Sequence, residues 1–122
     1  MYKTAVYFAP EDPTQGNWTE HVIDDNVQCI THALGVYDFN NNGLLDVFTA
    51  EMEQSDYPHE VRIYFNNSNG TSWTKEVIST SGSHWNQFAD IDNDGDIDIF
   101  GANHGSTGQP VVEIWVNQTL SP

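Results

Sequence analysis

Five carboxylates fall on alternate residues of one nine-residue stretch, at Asp90, Asp92, Asp94, Asp96 and Asp98. Such a density demands a counter-ion, since the alternative is strong mutual repulsion. Carboxylates at loop positions 1, 3, 5 and 9, with a glycine at position 6 that takes a sharp turn at positive φ, form a cage of hard oxygens suited to Ca2+. Magnesium keeps more of its water, and zinc wants the His or Cys ligands that this loop lacks. Asp90, Asp92, Asp94 and Asp98 are the side-chain ligands in this reading, and Asp96, at position 7, ligates through its backbone carbonyl.

The pattern occurs a second time, 52 residues earlier, as Asp38, Asn40, Asn42, Gly43, Leu44 and Asp46. Here the side chains of Asp38, Asn40, Asn42 and Asp46 and the carbonyl of Leu44 are the candidate ligands. Amides at positions 3 and 5 leave only two formal charges, so two Ca2+ sites are expected, with the 90–98 site the stronger. An EF-hand would need flanking helices and a bidentate Glu at position 12, where this chain has Thr49 and Gly101. A dockerin also wants a carboxylate at position 12 and repeats more closely. A metal-free Asn/Asp/Gly hairpin turn is the remaining alternative, and it competes more strongly at the first loop.

The segments around the loops repeat with them. Trp18-Thr19 with Val22-Ile23 matches Trp73-Thr74 with Val77-Ile78, and Val61, Ile63 and Asn66 match Val112, Ile114 and Asn117. Alternation of Val61, Ile63 and Phe65 with Arg62 and Tyr64 is the signature of a strand. Leu45, Val47 and Phe48 form a denser apolar run, expected of a strand covered on both faces. Further strands are expected at Thr4–Phe8, Trp18–Ile23 and Val112–Val116, with a hairpin turn over Asn66–Ser72. No window holds helical apolar spacing with a cap. The fold class is therefore all-β, built on two four-stranded antiparallel propeller blades. Nine strands are expected: strands three and four of one blade, four of the next, and one to three of another. The repeat units run approximately 24–78 and 79–122, with 1–23 supplying the outer strands of a flanking blade. Closed propellers take about 4 to 8 blades. The chain is thus expected to be part of a longer propeller, or a protomer that self-associates into a closed ring.

Eighteen acidic residues against three basic ones give a formal charge of −15. That balance argues against nucleic acid and anionic membrane surfaces as partners. Cys29 is the only cysteine, so no internal disulfide forms, and a small buried apolar role before a strand is expected for it. No stretch approaches the ~18 apolar residues of a membrane span. Residues 1–10 hold no apolar signal-peptide core, so no signal peptide is expected in this chain. Asn17, Asn66, Asn69 and Asn117 each begin an Asn-X-Ser/Thr triplet, which has meaning only in a eukaryotic setting.

With its two Asp-rich loops and its WTxxVI and VxIxxN strands, nearly the whole chain resembles the FG-GAP and VCBS-type repeats of integrin alpha-like propellers and large secreted proteins. The resemblance implies a calcium-binding, extracellular or cell-surface repeat module, non-catalytic, serving adhesion or binding of a glycan or protein. Its alternative is part of a secreted propeller-fold enzyme such as a polysaccharide lyase, with His32 or His84 and Tyr37 or Tyr57 as acid and base. His32 and His84 stand six residues before their loops, and Glu51 and Asn103 stand 13 residues after each loop begins. These four form the candidate ligand face, or else a scaffold feature repeated in each blade. Tyr64, Trp115 and Trp85 are candidate sugar-stacking aromatics, with burial between blades as the alternative.

Overall fold

The computed structural model describes residues 2–28, 30–103 and 112–120. Nine strands run through them: β1 Tyr2–Phe8, β2 Thr19–Val27, β3 Thr31–Tyr37, β4 Asp46–Glu51, β5 Val61–Asn66, β6 Trp73–Ser79, β7 Trp85–Ala89, β8 Asp98–Ala102 and β9 Val112–Trp115. A 3-10 turn at Pro13–Gln15 is the only helical segment among the described residues, capped by the Asp12 carboxylate on the Thr14 N–H at 3.0 Å. The nine strands pair antiparallel, in sheets ordered β1-β2, β3-β4-β5-β6 and β7-β8-β9. The sheets stack without closing a barrel, which is the arrangement of a partial propeller with two, four and three strands in successive blades. Cys29 and the segment 104–111 lie outside the described residues.

Boundaries differ from the sequence expectation by one or two residues at β1 and β9, and most at the end of β2. β2 continues past Ile23 to Val27, because Val27 is buried and Asp24 is held against the middle sheet. Asp24 accepts from the Tyr64 hydroxyl at 2.9 Å and pairs with Lys75 at 3.2 Å. Charge at Asp24 and Asp25 does not end the strand when a partner across the sheet interface satisfies it.

The middle sheet is the only four-stranded sheet among the described residues, and its inner strand β4 is buried along all six residues. Alternation along β5 sends Val61, Ile63 and Phe65 toward the last sheet and Arg62 and Tyr64 toward the first. The core between the middle and last sheets gathers Ala33, Phe39, Phe48, Ala50, Val61, Ile63 and Ile99, with Phe88 and Trp115 packed against it. Each of its Val, Ile and Phe side chains contributes about 1.5–3 kcal/mol through burial. Phe88 meets Phe48 edge-on at 5.3 Å and rests on bare backbone at Gly35, where a Cβ would lie 2.3 Å from its ring. That close approach sets the spacing of the two sheets and so of the two loops that hang from them.

The outer sheets are covered on one side only. Leu34 on β3 is 68% exposed because the first sheet has outer strands alone and nothing to lie over it. At the other end Trp85, Val112 and Ile114 face solvent.

Candidate functional site

Both Asp-rich loops join the first and second strands of their sheets, and both fold around their own carboxylates. In the second loop, Asp90 accepts from the Asp94 and Gly95 N–H groups, each at 3.0 Å. Asp38 does the same for Asn42 at 3.1 Å and Gly43 at 2.8 Å. Glycine at position 6 takes φ 85° at Gly43 and 98° at Gly95, where any side chain would be strained, as the sequence pattern requires. Position 9 closes the loop. Asp98 accepts from Ile91 N–H and Asn117 N–H, both at 2.7 Å, and Asp46 accepts from Phe39 N–H at 2.9 Å and Asn66 N–H at 2.8 Å. Both closing aspartates are fully buried. Each therefore pins the loop to the start of its own strand and to the end of the third strand.

The two loops differ in what they leave free. Asp90, Asp92 and Asp98 bring one oxygen each to within 4.8 Å of one another. A carboxylate oxygen that accepts one backbone N–H still has a lone pair for a cation. Asp94 stands outside this trio. Its Oδ1 accepts from Asp96 N–H at 2.9 Å, while its Oδ2 is buried with no hydrogen-bond donor among the described residues. In the first loop the equivalent Asn42 is satisfied, accepting from Leu44 N–H at 2.8 Å and donating to the Asn66 carbonyl at 3.3 Å. Asn40 accepts from Asn42 N–H at 3.2 Å. The first loop thus closes on itself, whereas the second carries converging carboxylates and one orphaned buried oxygen.

The electrostatics agree. Partial removal from water, with the charges of Asp94 and Asp98 close by, raises the Asp92 pKa above the ordinary carboxylate value. Burial also raises that of Asp46, against the opposing pull of the Asn66 and Phe39 N–H groups. The residues of the second loop therefore fit a hard divalent cation: three converging oxygens, an excess of charge and an unsatisfied acceptor.

Asp96 takes a part that sequence spacing did not reveal. Its side chain is buried and turns away from the trio, accepting from the Asn41 amide of the first loop and from the Leu120 N–H. The two loops are joined by this contact. Asn66 and Asn117 were also missed as loop residues, although their common place at the end of the VxIxxN strand is a signal the repeat could have offered.

The four residues of the candidate ligand face separate into two arrangements. His32 and His84 do come together, their rings 4.2 Å apart and His32 Nδ1 at 2.8 Å from the His84 carbonyl oxygen. With Leu34, Trp85 and Asn86 they border a cavity of about 310 Å3. Glu51 is sealed from solvent and pairs with Arg62 at 2.8 Å, and Arg62 also binds Glu60 at 2.8 Å and Thr49 at 3.0 Å. Asn103 donates to the Ser81 and Gly82 carbonyls at 2.9 and 3.2 Å. Two of the four are thus bound up in holding loops and strands together.

Tyr64 is buried between the first and middle sheets, and burial, with the Asp24 carboxylate beside its hydroxyl, pushes its pKa up to about 12. Trp115 lies over Gly101 against the core, while Trp85 is exposed. Of the candidate acid–base residues, Tyr37 packs on Phe88 at 4.8 Å and Tyr57 meets His59 edge-on at 5.9 Å.

Antiparallel sheets stacked face to face, the middle and last each with an Asp-rich loop between the first two strands, define a β-propeller-type repeat module. The sequence profile described as FG-GAP-like repeat matches residues 38–101, a span that starts at the first residue of the first loop and takes in all of the second. The chain belongs to the FG-GAP-like repeat family. Neither curated protein sequences nor solved structures give a match to it.

Proposed function

We propose that the chain is a calcium-binding, non-catalytic propeller module that serves as a scaffold or recognition surface. The observation that carries this reading is the convergence of Asp90, Asp92 and Asp98 beside the orphaned Asp94 Oδ2. Asp90, Asp92 and Asp98 would hold the ion with a fourth oxygen from Asp94 and the Asp96 carbonyl. Asp38, Asn40, Asn42, Asp46 and the Leu44 carbonyl make a second, weaker site. Bound calcium supplies positive charge that fixes each loop; the residues themselves already set the turn. Among the described residues no helix is long and apolar enough to cross a membrane. An extracellular setting, where millimolar calcium meets weak sites, suits the family and the loop chemistry.

The remaining blades of a propeller, from a longer chain or from further copies, are the partners the uncovered outer sheets call for. A glycan or protein ligand would sit at the cavity bordered by His32 and His84. Isothermal titration with Ca2+ and with Mg2+ tests the central claim. Calcium-selective binding with two unequal sites is expected. Absence of binding at millimolar calcium would sink the proposal.

A further inference from the structure

His32 and His84 meet across the seam between the middle and last sheets, and the backbone is bent to bring them there. His32 is the extra residue of a bulge: Thr31 pairs with Glu51 and Ala33 with Ala50, so two steps along β3 answer one along β4. A bulge re-aims a side chain. Two residues before each histidine the backbone is left-handed, at φ 66° in Ile30 and 73° in Gly82. Glycine does this freely, but a β-branched residue does so under strain. Strain of this kind gathers at ligand clamps and active sites.

Hydrogen bonds then fix which atoms are offered. His84 donates its own N–H to the Ala102 carbonyl at 2.9 Å, and its carbonyl accepts from His32 Nδ1 at 2.8 Å. A carbonyl only accepts, so Nδ1 carries the proton and the neutral His32 ring offers the lone pair of Nε2. A hydrogen bond from the far nitrogen to a carbonyl is what orients a metal-binding imidazole. The His84 ring lies 4.2 Å away, tilted by 36°. Both rings border the cavity of about 310 Å3, and so does Asn86.

Asn86 stands where the repeat, 52 residues earlier, has Leu34. Both polar atoms of its amide are buried, and neither has a hydrogen-bond partner among the described residues. Such an amide calls for a ligand at both atoms, and a cation at Oδ1 with its bound water at Nδ2 supplies them. Charge agrees on the sign. The basic side chains Lys3, Arg62 and Lys75 are paired with Glu20, Glu51, Glu60 or Asp24, and none of them borders the cavity. On a chain of formal charge −15 an anion would find no partner there. Two imidazoles and an amide oxygen suit neither calcium nor magnesium; nitrogen with oxygen in a tetragonal set is what Cu2+ and Ni2+ take.

We infer that the cavity between β3 and β7 is a metal site of a second kind, in which His32 Nε2, a ring nitrogen of His84 and Asn86 Oδ1 hold a first-row divalent ion, Cu2+ above Ni2+ and Zn2+. Water, or an oxygen of a ligand in the same cavity, completes the ion. The site needs no calcium in either loop.

The test uses the full chain with calcium saturating, titrated with Cu2+ near neutral pH and followed by electron paramagnetic resonance. Binding of one ion per chain with nitrogen splitting from two imidazoles is expected, about tenfold or more tighter than Zn2+. H32A and H84A should each weaken copper about tenfold or more and remove one nitrogen from the spectrum, and N86L, which restores the leucine of the repeat, should weaken it about threefold. H21A with H59A and H104A removes the chain's other histidines and should bind copper as the parent does. Unchanged affinity in H32A, H84A or N86L, loss of copper from the triple variant, or a spectrum of oxygen ligands alone overturns the inference. Circular dichroism shows whether a variant is folded; where it is not, the parent and triple-variant spectra decide. Calcium titration of the same samples separates the two readings: copper absent with calcium binding intact removes the histidine site and leaves the module.

Discussion

The loops at 38–46 and 90–98 share one frame and differ in one property. Positions 1 and 9 do the same work in both, accepting two backbone N–H groups each and tying the first, second and third strands of a sheet together. Positions 3 and 5 diverge. Asn40 and Asn42 find partners within their own region, while Asp92 adds its charge to the trio and Asp94 keeps an unsatisfied oxygen. A loop of this kind is thus two devices in one chain segment. Its ends are a structural clamp, and its middle sets how much a cation is wanted.

If that division is right, the largest effects come from the clamps and are alike in both loops. D46A and D98A each strand two N–H groups that a buried carboxylate satisfied, at a cost of about 3 kcal/mol or more. Urea unfolding in chelator should show similar losses for the two variants. A loss confined to one would break the equivalence of the loops.

Next in size is the effect of charge at the middle positions. D92A with D94A should abolish most of the calcium-dependent rise in Tm, a stabilisation of about 2.7 kcal/mol when calcium stands at 100 times its Kd. In chelator the same pair should change Tm little, since relief of repulsion offsets the lost hydrogen bond from Asp96 N–H to Asp94. The reciprocal change sharpens the contrast. N40D with N42D should raise the calcium affinity of the first loop about tenfold, making the two sites near equal by titration.

The smallest effect belongs to a control outside both loops. Y64F removes the hydrogen bond to Asp24, at about 1 kcal/mol. Tyr64 has its pKa raised from 10.0 to about 12, so its contribution is complete below pH 10 and is lost as pH climbs through 12. Asp24 has its pKa lowered: burial works upward, but the Asn26 N–H, the Tyr64 hydroxyl and Lys75 outweigh it. Its contribution is present above the ordinary carboxylate pKa and fades as pH falls below it. Y64F should flatten the alkaline limb of a Tm-against-pH curve measured in chelator and leave calcium titration at either loop untouched.

What was legible in the sequence follows from what short-range pattern can carry. The strands, the turn at Asn66–Ser72 and the loop glycines are set by residues within a few positions of one another, and alternation or turn chemistry exposes them. Repetition at 52 residues added the blade order. Contacts between distant residues stayed hidden. Glu51 looked like a mouth residue by its offset, yet it is the buried partner of Arg62, 11 positions on along the adjacent strand. Asp96 offered the sequence reading only its backbone carbonyl, yet its side chain reaches 55 positions back to Asn41. No periodicity encodes such pairs.

If both loops take an ion as proposed, that last contact would join the two binding events into one equilibrium. Asp96 sits inside the second loop and Asn41 inside the first, so whatever fixes one loop holds an end of the other. Ordering already accomplished at the first site need not be repeated at the second, and by thermodynamic reciprocity each ion would then tighten the other. The strong loop would in this way act as the allosteric effector of the weak one, and N41A would convert a cooperative isotherm into two independent ones.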